Sequence, residues 1–390
     1  MRYERTSAGW TLVPHGLGGD DPQAHRFRRR EAAHDDGAAG ITTTMRRMHQ
    51  PSLDNKTDFA AHPQILLDSD GERLVTIVKA TFEFHEGQIA VAPPERARGL
   101  RFADLPWDKK KPDSIAYPAD VCLRKPGTDV VLVAKACAPH GRPVPSFDVR
   151  VEVGPLRRSL VVFGQRLWTE RGAGLSAPAP IAEIEMRYDF AWGGRDDDDP
   201  ADLLEEPRNP VGMGVTRTPA ALTHTPAPNI EDPSYPIRSA KTAPPPAGVG
   251  PIGRSWEPRR RYAGTYDQTW QENRAPLLPE DFDDRYNLCA SPGLIATPPL
   301  AGGEPVRLLN LSPQGGALAF DLPSVALEIE FRVKGREPVT FTPHLDTVLI
   351  DTYTAGPERP VVIEMVWRAH VKAPRRLKDA RVIVRERRPS

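Results

Sequence analysis

The segment RLVTIVKATFEFHEGQIAVAP, residues 73–93, decides the fold class of this chain. On both sides of a Glu-Gly pair, β-branched and aromatic residues alternate with polar ones. This alternation is typical of two half-buried β-strands joined by a tight turn. The sequence therefore predicts a β-hairpin whose turn lies at Glu86 and Gly87.

Segments of the same kind occur on both sides of a proline-rich middle. They lie at 129–139, 147–154, 157–168 and 181–190 before it, and at 306–313, 316–323, 326–335, 346–354, 361–372 and 380–387 after it. Turn signals recur about every 8–12 residues, as in β-sandwiches and barrels. We predict a mainly β protein with two β-sandwich-like regions, joined by a long, partly ordered connection that carries a few short helices.

The predicted domain organisation has four parts. Residues 1–47 lack a sustained apolar period, which predicts a disordered tail or a translation start placed too far upstream. An N-terminal β-rich region (50–192), a Pro-rich and aromatic-rich connection (193–298) and a C-terminal β-rich region (299–390) follow. The chain has 43 prolines, about twice the usual share. Because they concentrate in the connection, little of it can be helix or central strand.

Aromatic residues in the connection indicate that it packs onto the β-rich regions. Each aromatic side chain can bury about 150–250 Å² of surface area. A linker that is surrounded by solvent does not require so many of them. The residues are Trp256, Tyr262, Tyr266, Trp270, Phe282 and Tyr286. We expect short helices near 267–274 and 279–288.

Composition bounds the partners and the compartment. Lys+Arg and Asp+Glu both number 52, so the formal charge is zero and no general attraction to nucleic acid or to an anionic membrane is expected. The three cysteines lack a CxxC spacing and leave an odd thiol over, which indicates reduced thiols. No apolar run reaches the ~20 residues that cross a bilayer. We predict a cytoplasmic protein that binds neither nucleic acid nor membrane.

The segment LPEDFDDRYN, residues 278–287, concentrates carboxylates as a metal site or a general acid would. A calcium loop beginning at Asp281 would need a polar ligand, a glycine and a glutamate where Arg285, Tyr286 and Pro292 stand. The alternative is a helix start, with Pro279 in the first turn and the carboxylates near the positive end of the helix dipole. This second interpretation is the favoured one.

Other catalytic signatures are missing from the sequence. No Ser or Cys occupies the centre of a nucleophile elbow, the ten histidines form no HxxxH or HxH pair, and GVGPIG (248–253) lacks the ending of a phosphate loop. The acidic run at 193–207 is typical of a solvated loop. The basic C-terminus is typical of the solubilising face of a β-hairpin. We predict no catalytic residue, metal ligand or cofactor.

Five segments together resemble a known family. They are residues 55–84, YDFAWGG (188–194), NPVGMG (209–214), residues 251–292 and residues 299–323. The most specific elements are W-x-x-R…AGTYD-x-x-W and P-x-L-P-x-DFD. The chain resembles, over about residues 50–370, an uncharacterised-domain family encoded beside type VI secretion spike and PAAR-tip genes.

The resemblance implies an adaptor or chaperone that binds a toxic effector or a PAAR-like protein and helps to load it on the VgrG spike. It supplies no catalytic residues. Nine residues of the motifs are candidate partner contacts or a fold signature: Trp256, Arg259, Tyr262, Tyr266, Asp267, Trp270, Asp281, Phe282 and Asp283.

Two interpretations of these nine residues stay open. Aromatic residues and Arg are enriched at interface hot spots, but they would equally serve to lock the connection onto the β-rich regions. For Trp256, Tyr266 and Trp270 internal packing is favoured. Two alternatives to the adaptor are a metal-dependent hydrolase using the acidic cluster at 280–284, and a structural component of the secreted particle.

Overall fold

A computed structural model of the chain describes residues 2–6, 9–13, 51–198, 202–313 and 315–387. The chain divides into two units, Met1–His49 and Gln50–Ser390. In the first unit, β1 (Arg2–Thr6) and β2 (Gly9–Val13) pair as an antiparallel hairpin. The rest of the predicted N-terminal tail lies outside the described residues. The second unit contains every other strand, and the predicted mainly β class is confirmed.

The largest sheet has seven strands and includes the hairpin that the sequence predicts. In order across the sheet, the strands are β19 (Ile295–Ala296), β9 (Thr128–Val133), β24 (Leu345–Asp351), β25 (Val361–Lys372), β5 (Gly71–His85) and β4 (Ala60–Asp68), with β6 (Gln88–Val91) also paired to β5. Glu86 and Gly87 have φ values of 49° and 79°. This left-handed pair is what a tight hairpin turn requires, so the predicted turn is confirmed.

Two further sheets complete the main architecture. The five-stranded sheet has the order β18 (Ile230–Glu231), β12 (Leu156–Phe163), β11 (Ser146–Val153), β20 (Pro305–Leu309) and β21 (Ala317–Asp321). The four-stranded sheet has the order β23 (Val339–Phe341), β22 (Leu327–Val333), β26 (Ala380–Glu386) and β3 (Ser52–Asn55).

Four two-stranded pairs and several short helical segments connect these sheets. The pairs are β7 (Leu105–Asp108) with β8 (Lys111–Tyr117), β10 (Lys135–Cys137) with β13 (Glu183–Glu185), β14 (Trp192–Gly193) with β17 (Met213–Gly214), and β15 (Arg195–Asp196) with β16 (Leu204–Glu205). Among the described residues, the α-helix is α1 (Gln268–Asn273), and the 3-10 helices are Pro139–Gly141, Glu170–Gly172, Tyr188–Phe190, Pro219–Leu222, Arg260–Tyr262, Asp284–Asn287 and Leu377–Asp379.

The two strand-rich regions of the sequence share their sheets. Strand β25 pairs antiparallel with β5 over its whole length, β9 pairs parallel with β24, and β11 pairs with β20. Each large sheet is therefore built from both ends of the chain. Periodicity identifies strands but contains no information about which distant strand each one joins.

The central strand β5 separates an apolar core from a partly charged layer. On one face, Leu74, Val78, Ala80 and Phe82 belong to the main hydrophobic core. The opposite face carries Val75 and Ile77, which belong to a smaller apolar cluster, and then Lys79. Because side chains alternate along a strand, Thr81 and Glu83 lie on the same face as Lys79. That face is buried too, since Lys79 is 1% exposed.

Candidate functional site

The family motifs of the connection form a folded cap, which we define as residues 256–287. At its base, Trp256 is 1% exposed and packs edge-to-face against Tyr188, with ring centroids 5.4 Å apart. Arg259 is also buried and donates to the backbone carbonyls of Ile252 (2.7 Å) and Tyr286 (3.0 Å). These two predicted site residues thus attach the cap to the body of the protein.

The two most specific motifs bind each other. Asp281 accepts hydrogen bonds from the backbone N–H of Thr265 (2.9 Å) and from its hydroxyl (2.7 Å). The Asp283 N–H donates to the carbonyl of Tyr262 at 3.1 Å. Between them Gly264 has φ +80°, and a Cβ there would lie 2.9 Å from Asp281 Oδ1. The AGTYD and DFD segments therefore form one interlocked unit.

The helices of the cap match the sequence prediction in part. Near 267–274, α1 is present, and the Asp267 side chain accepts from the backbone N–H of Trp270 (2.8 Å) as its N-cap. The predicted helix start at Pro279 is wrong. A turn occupies that position, and the 3-10 helix Asp284–Asn287 begins only after Asp283, whose side chain caps it. The reason is that the carboxylate of Asp281 bonds Thr265 instead of its own helix terminus.

Aromatic residues on the outside of the cap pair with their neighbours. The guanidinium of Arg285 lies 4.2 Å from the ring centroid of Tyr262. The ring centroids of Tyr266 and Trp270 are 4.7 Å apart, and those of Phe282 and Tyr286 are 5.7 Å apart. All five of these aromatic residues are half-buried. Their role as partner contacts stays a prediction.

The acidic cluster at 280–284 does not converge on one point. Each carboxylate has its own partner: Glu280 with Arg274, Asp281 with Thr265, Asp283 with Arg285, and Asp284 with Arg124. Within the described ranges, no three His, Cys, Asp or Glu side chains are grouped so that they could hold a metal ion. The geometry therefore gives no support to the hydrolase alternative.

A first prediction concerns the Asp281–Thr265 contact. The backbone N–H and the hydroxyl of Thr265 lower the pKa of Asp281. We expect Thr265→Val to raise this pKa towards its ordinary value, because the hydroxyl donor is lost while the backbone donor stays. NMR titration of the Asp281 carboxyl measures the change. An unchanged pKa would contradict the described contact, and Thr269→Val, on exposed α1, is the matched control.

A buried ion cluster lies on the polar face of β5, and sequence reasoning missed it. Lys79 Nζ is 2.8 Å from Glu364 Oε2 and 3.0 Å from Asp120 Oδ2, and all three side chains are almost fully buried. Arg101 binds the same carboxylate of Glu364 at 2.6 Å. Burial alone would raise the pKa of Glu364, but Arg101 and Lys79 outweigh it and lower the pKa to about 2.

Two more groups extend this cluster. Arg98 contacts Glu364 (3.2 Å) and Asp351 (2.8 Å), and the hydroxyl of Tyr117 donates to Asp351 at 2.7 Å. We define the buried ion cluster as Lys79, Arg98, Arg101, Asp120, Asp351 and Glu364, three cations against three carboxylates. A signal for it was present in the sequence, since Lys79 and Glu364 both interrupt runs of strand-forming apolar residues.

The cysteines offer no activated nucleophile. All three are free, and Cys289 lies beside Asp129 (Sγ to Oδ2, 3.4 Å) and Lys125 (Sγ to Nζ, 3.9 Å). Burial, with Asp129, raises the pKa of Cys289 to about 12, and burial also raises the pKa of Cys122. Because the thiolate is the reactive form, these thiols are inert near neutral pH.

The outer edge of the seven-stranded sheet is open at β4. This nine-residue strand pairs with β5 on one side and with no other strand in the described part of the chain. Beside it stands Phe102, which is 48% exposed and makes an edge-to-face contact with His62 of β4 at 5.2 Å. Although the Asp68 carbonyl at the end of β4 accepts from the N–H of Leu278 (3.3 Å), no second strand covers this edge in the described residues, and an exposed aromatic side chain lies beside it.

The fold and the cap together define a mainly β protein. Its most distinctive motifs contact one another and the neighbouring residue Tyr188. The chain belongs to a bacterial family described as "Uncharacterized protein conserved in bacteria (DUF2169)", which it matches over residues 69–368. That description links the family to no secretion system. No curated protein and no solved structure matches the chain. In the ranges that the structure describes, no helix is long and apolar enough to cross a membrane.

Proposed function

We propose that this protein is a cytoplasmic adaptor of type VI secretion, which binds a toxic effector or a PAAR-like tip protein and helps to load it on the VgrG spike. The resemblance of the motifs in residues 251–292 suggests the pathway. The observation that carries a protein-binding role is the open edge of β4 beside Phe102.

An unpaired strand edge is a template for another chain. An extended partner segment gains main-chain hydrogen bonds by adding a strand, and pockets beside the edge recognise its side chains. Proteins usually protect such edges, and here Pro63 removes one backbone donor from the middle of β4. The remaining length of β4 is still as long as a typical strand. This edge suits a selective partner.

Phe102→Ala tests this surface directly. We expect it to weaken binding of the effector or tip protein at least about tenfold, as loss of a hot-spot aromatic does. Stability should change by no more than about 0.5 kcal/mol, because the residue is half exposed. Tyr235→Ala is the matched control, since Tyr235 is an exposed aromatic residue at 53%. Equal affinities for both variants and the wild type would rule out the β4 edge as the contact surface.

The adaptor role is tested in cells. The tagged protein is expected to co-purify with the product of an adjacent effector or PAAR gene, and its deletion is expected to abolish secretion of that effector. No co-purification, together with unchanged secretion in the deletion strain, would refute the proposal. Detection of the protein itself in the secreted fraction would favour a structural component of the particle.

A further inference from the structure

A cavity of about 330 Å³ lies between the end of β25 and the segment 341–344. Its apolar walls include Phe341 and Pro343, and its polar walls include Arg124, His344 and His370. The volume falls within the range of small-molecule sites, which combine apolar walls with a few polar groups. The proposed adaptor role makes no use of this cavity.

The charges around the cavity are already neutralised. Lys125 and Arg368 also line it, and each lining cation has a carboxylate partner: Arg124 with Asp68 and Asp284, Lys125 with Asp129, and Arg368 with Asp346. An anion would meet no free positive charge there, and a charged ligand of either sign would lose its hydration without gaining a counter-ion. The cavity therefore favours an uncharged ligand.

Two imidazoles supply the hydrogen-bonding capacity. His344 Nε2 lies 3.1 Å from the carbonyl oxygen of Lys125, which can only accept, so Nε2 carries the proton and Nδ1 is an acceptor. His370 Nδ1 is buried without a partner in the described residues. Because an orphaned buried N–H is rarer than an orphaned acceptor, the proton of His370 belongs on Nε2, as a donor. Burial, assisted by Arg124 and Arg73, lowers the pKa of His370, so the ring is neutral near pH 7.

We propose that this cavity binds an uncharged aromatic group bearing a hydroxyl, of the phenol class. Phe341, Pro343 and the two imidazoles all line the cavity, and an aromatic ring packs favourably against side chains of this kind. A hydroxyl is both donor and acceptor, which complements the donor of His370 and the acceptor of His344.

Three probes that differ in one feature each test the proposal on the full chain by NMR titration. p-Cresol carries the ring and the hydroxyl, toluene lacks the hydroxyl, and 4-hydroxybenzoate adds a negative charge. We expect p-cresol to bind about 3- to 10-fold more tightly than toluene, the effect of one or two net hydrogen bonds, and more tightly than 4-hydroxybenzoate. Equal binding of toluene, tighter binding of 4-hydroxybenzoate, or no binding of p-cresol at millimolar concentration would overturn the proposal.

His370→Phe locates the site, because it keeps a ring but removes the donor. It is expected to abolish the preference for p-cresol over toluene, whereas His85→Phe, at an exposed position near the end of β5, is expected to preserve it. Preserved preference in folded His370→Phe would also overturn the proposal, and if that variant fails to fold, the wild-type probe series decides.

N-acetyltyrosinamide identifies the source of the phenol group. Binding at least as tight as that of p-cresol indicates a tyrosine side chain of a protein, and weaker binding indicates a free small molecule.

Discussion

Glu364→Gln is expected to lower the free energy of unfolding by about 3–5 kcal/mol, the usual cost of removing one partner from a buried ion pair. The substitution keeps the shape of the side chain but leaves Lys79, Arg98 and Arg101 facing two carboxylates instead of three. Urea unfolding at pH 7 measures the loss. Glu183→Gln is the matched control, because it breaks the exposed pair with Lys135 and should cost less than about 1 kcal/mol.

The same comparison has a defined pH dependence. The ordinary pKa of a glutamate is 4.5, and the folded protein holds the pKa of Glu364 at about 2. Because the folded pKa is the lower one, the stabilisation is complete above about pH 4.5 and is lost as the pH falls towards 2. The difference between wild type and Glu364→Gln should therefore shrink below pH 4.5. A difference that is constant from pH 7 to pH 3 would contradict the charged state of Glu364.

Trp256→Ala is expected to lower the free energy of unfolding by about 3–5 kcal/mol, as large-to-small changes of buried aromatic residues do. Trp256 is 1% exposed and fills the space between the cap and Tyr188. Chemical unfolding followed by tyrosine and tryptophan fluorescence measures the loss. Trp270→Ala is the control, with a smaller loss, because Trp270 is only half-buried.

This variant also separates the two interpretations of the family motifs. If Trp256 packs internally, stability and partner binding fall together. If Trp256→Ala stays within about 1 kcal/mol of the wild type and loses partner binding alone, then Trp256 is an interface residue and the packing interpretation is wrong.

Strands such as β5, β11 and β25 were predictable from the sequence, and so was the turn at Glu86 and Gly87, whereas β4, β7 and β8 were not predicted. Alternation of apolar and polar residues reflects local geometry, and a strand such as β5 expresses it in consecutive residues. The N-cap role of Asp267 is equally local, because its acceptor and donor are three residues apart. Local signals of this kind survive in the folded protein wherever no distant group competes for them.

The features that the sequence did not predict depend on distant partners. The alternating pattern predicts that Lys79 faces solvent. In the structure its ammonium group is buried, and the ion pairs with Glu364 and Asp120 compensate the cost of burying the charge. The sequence predicts that Asp281 belongs to the first turn of a helix, but in the structure its carboxylate accepts a hydrogen bond from the N–H of Thr265. The cavity has the same origin, since Arg124, His344 and His370 come from three separate segments.

The pairing of β5 with β25 sets the order in which this protein can be made. During synthesis β5 leaves the ribosome long before its antiparallel neighbour β25, because Lys79 pairs opposite Val366, which lies far later in the sequence. Contacts of such long sequence separation form slowly, and incomplete sheets expose apolar faces and unpaired edges. The seven-stranded sheet therefore cannot be completed before β25 has been synthesised, and until then β5 lacks its antiparallel neighbour on that side.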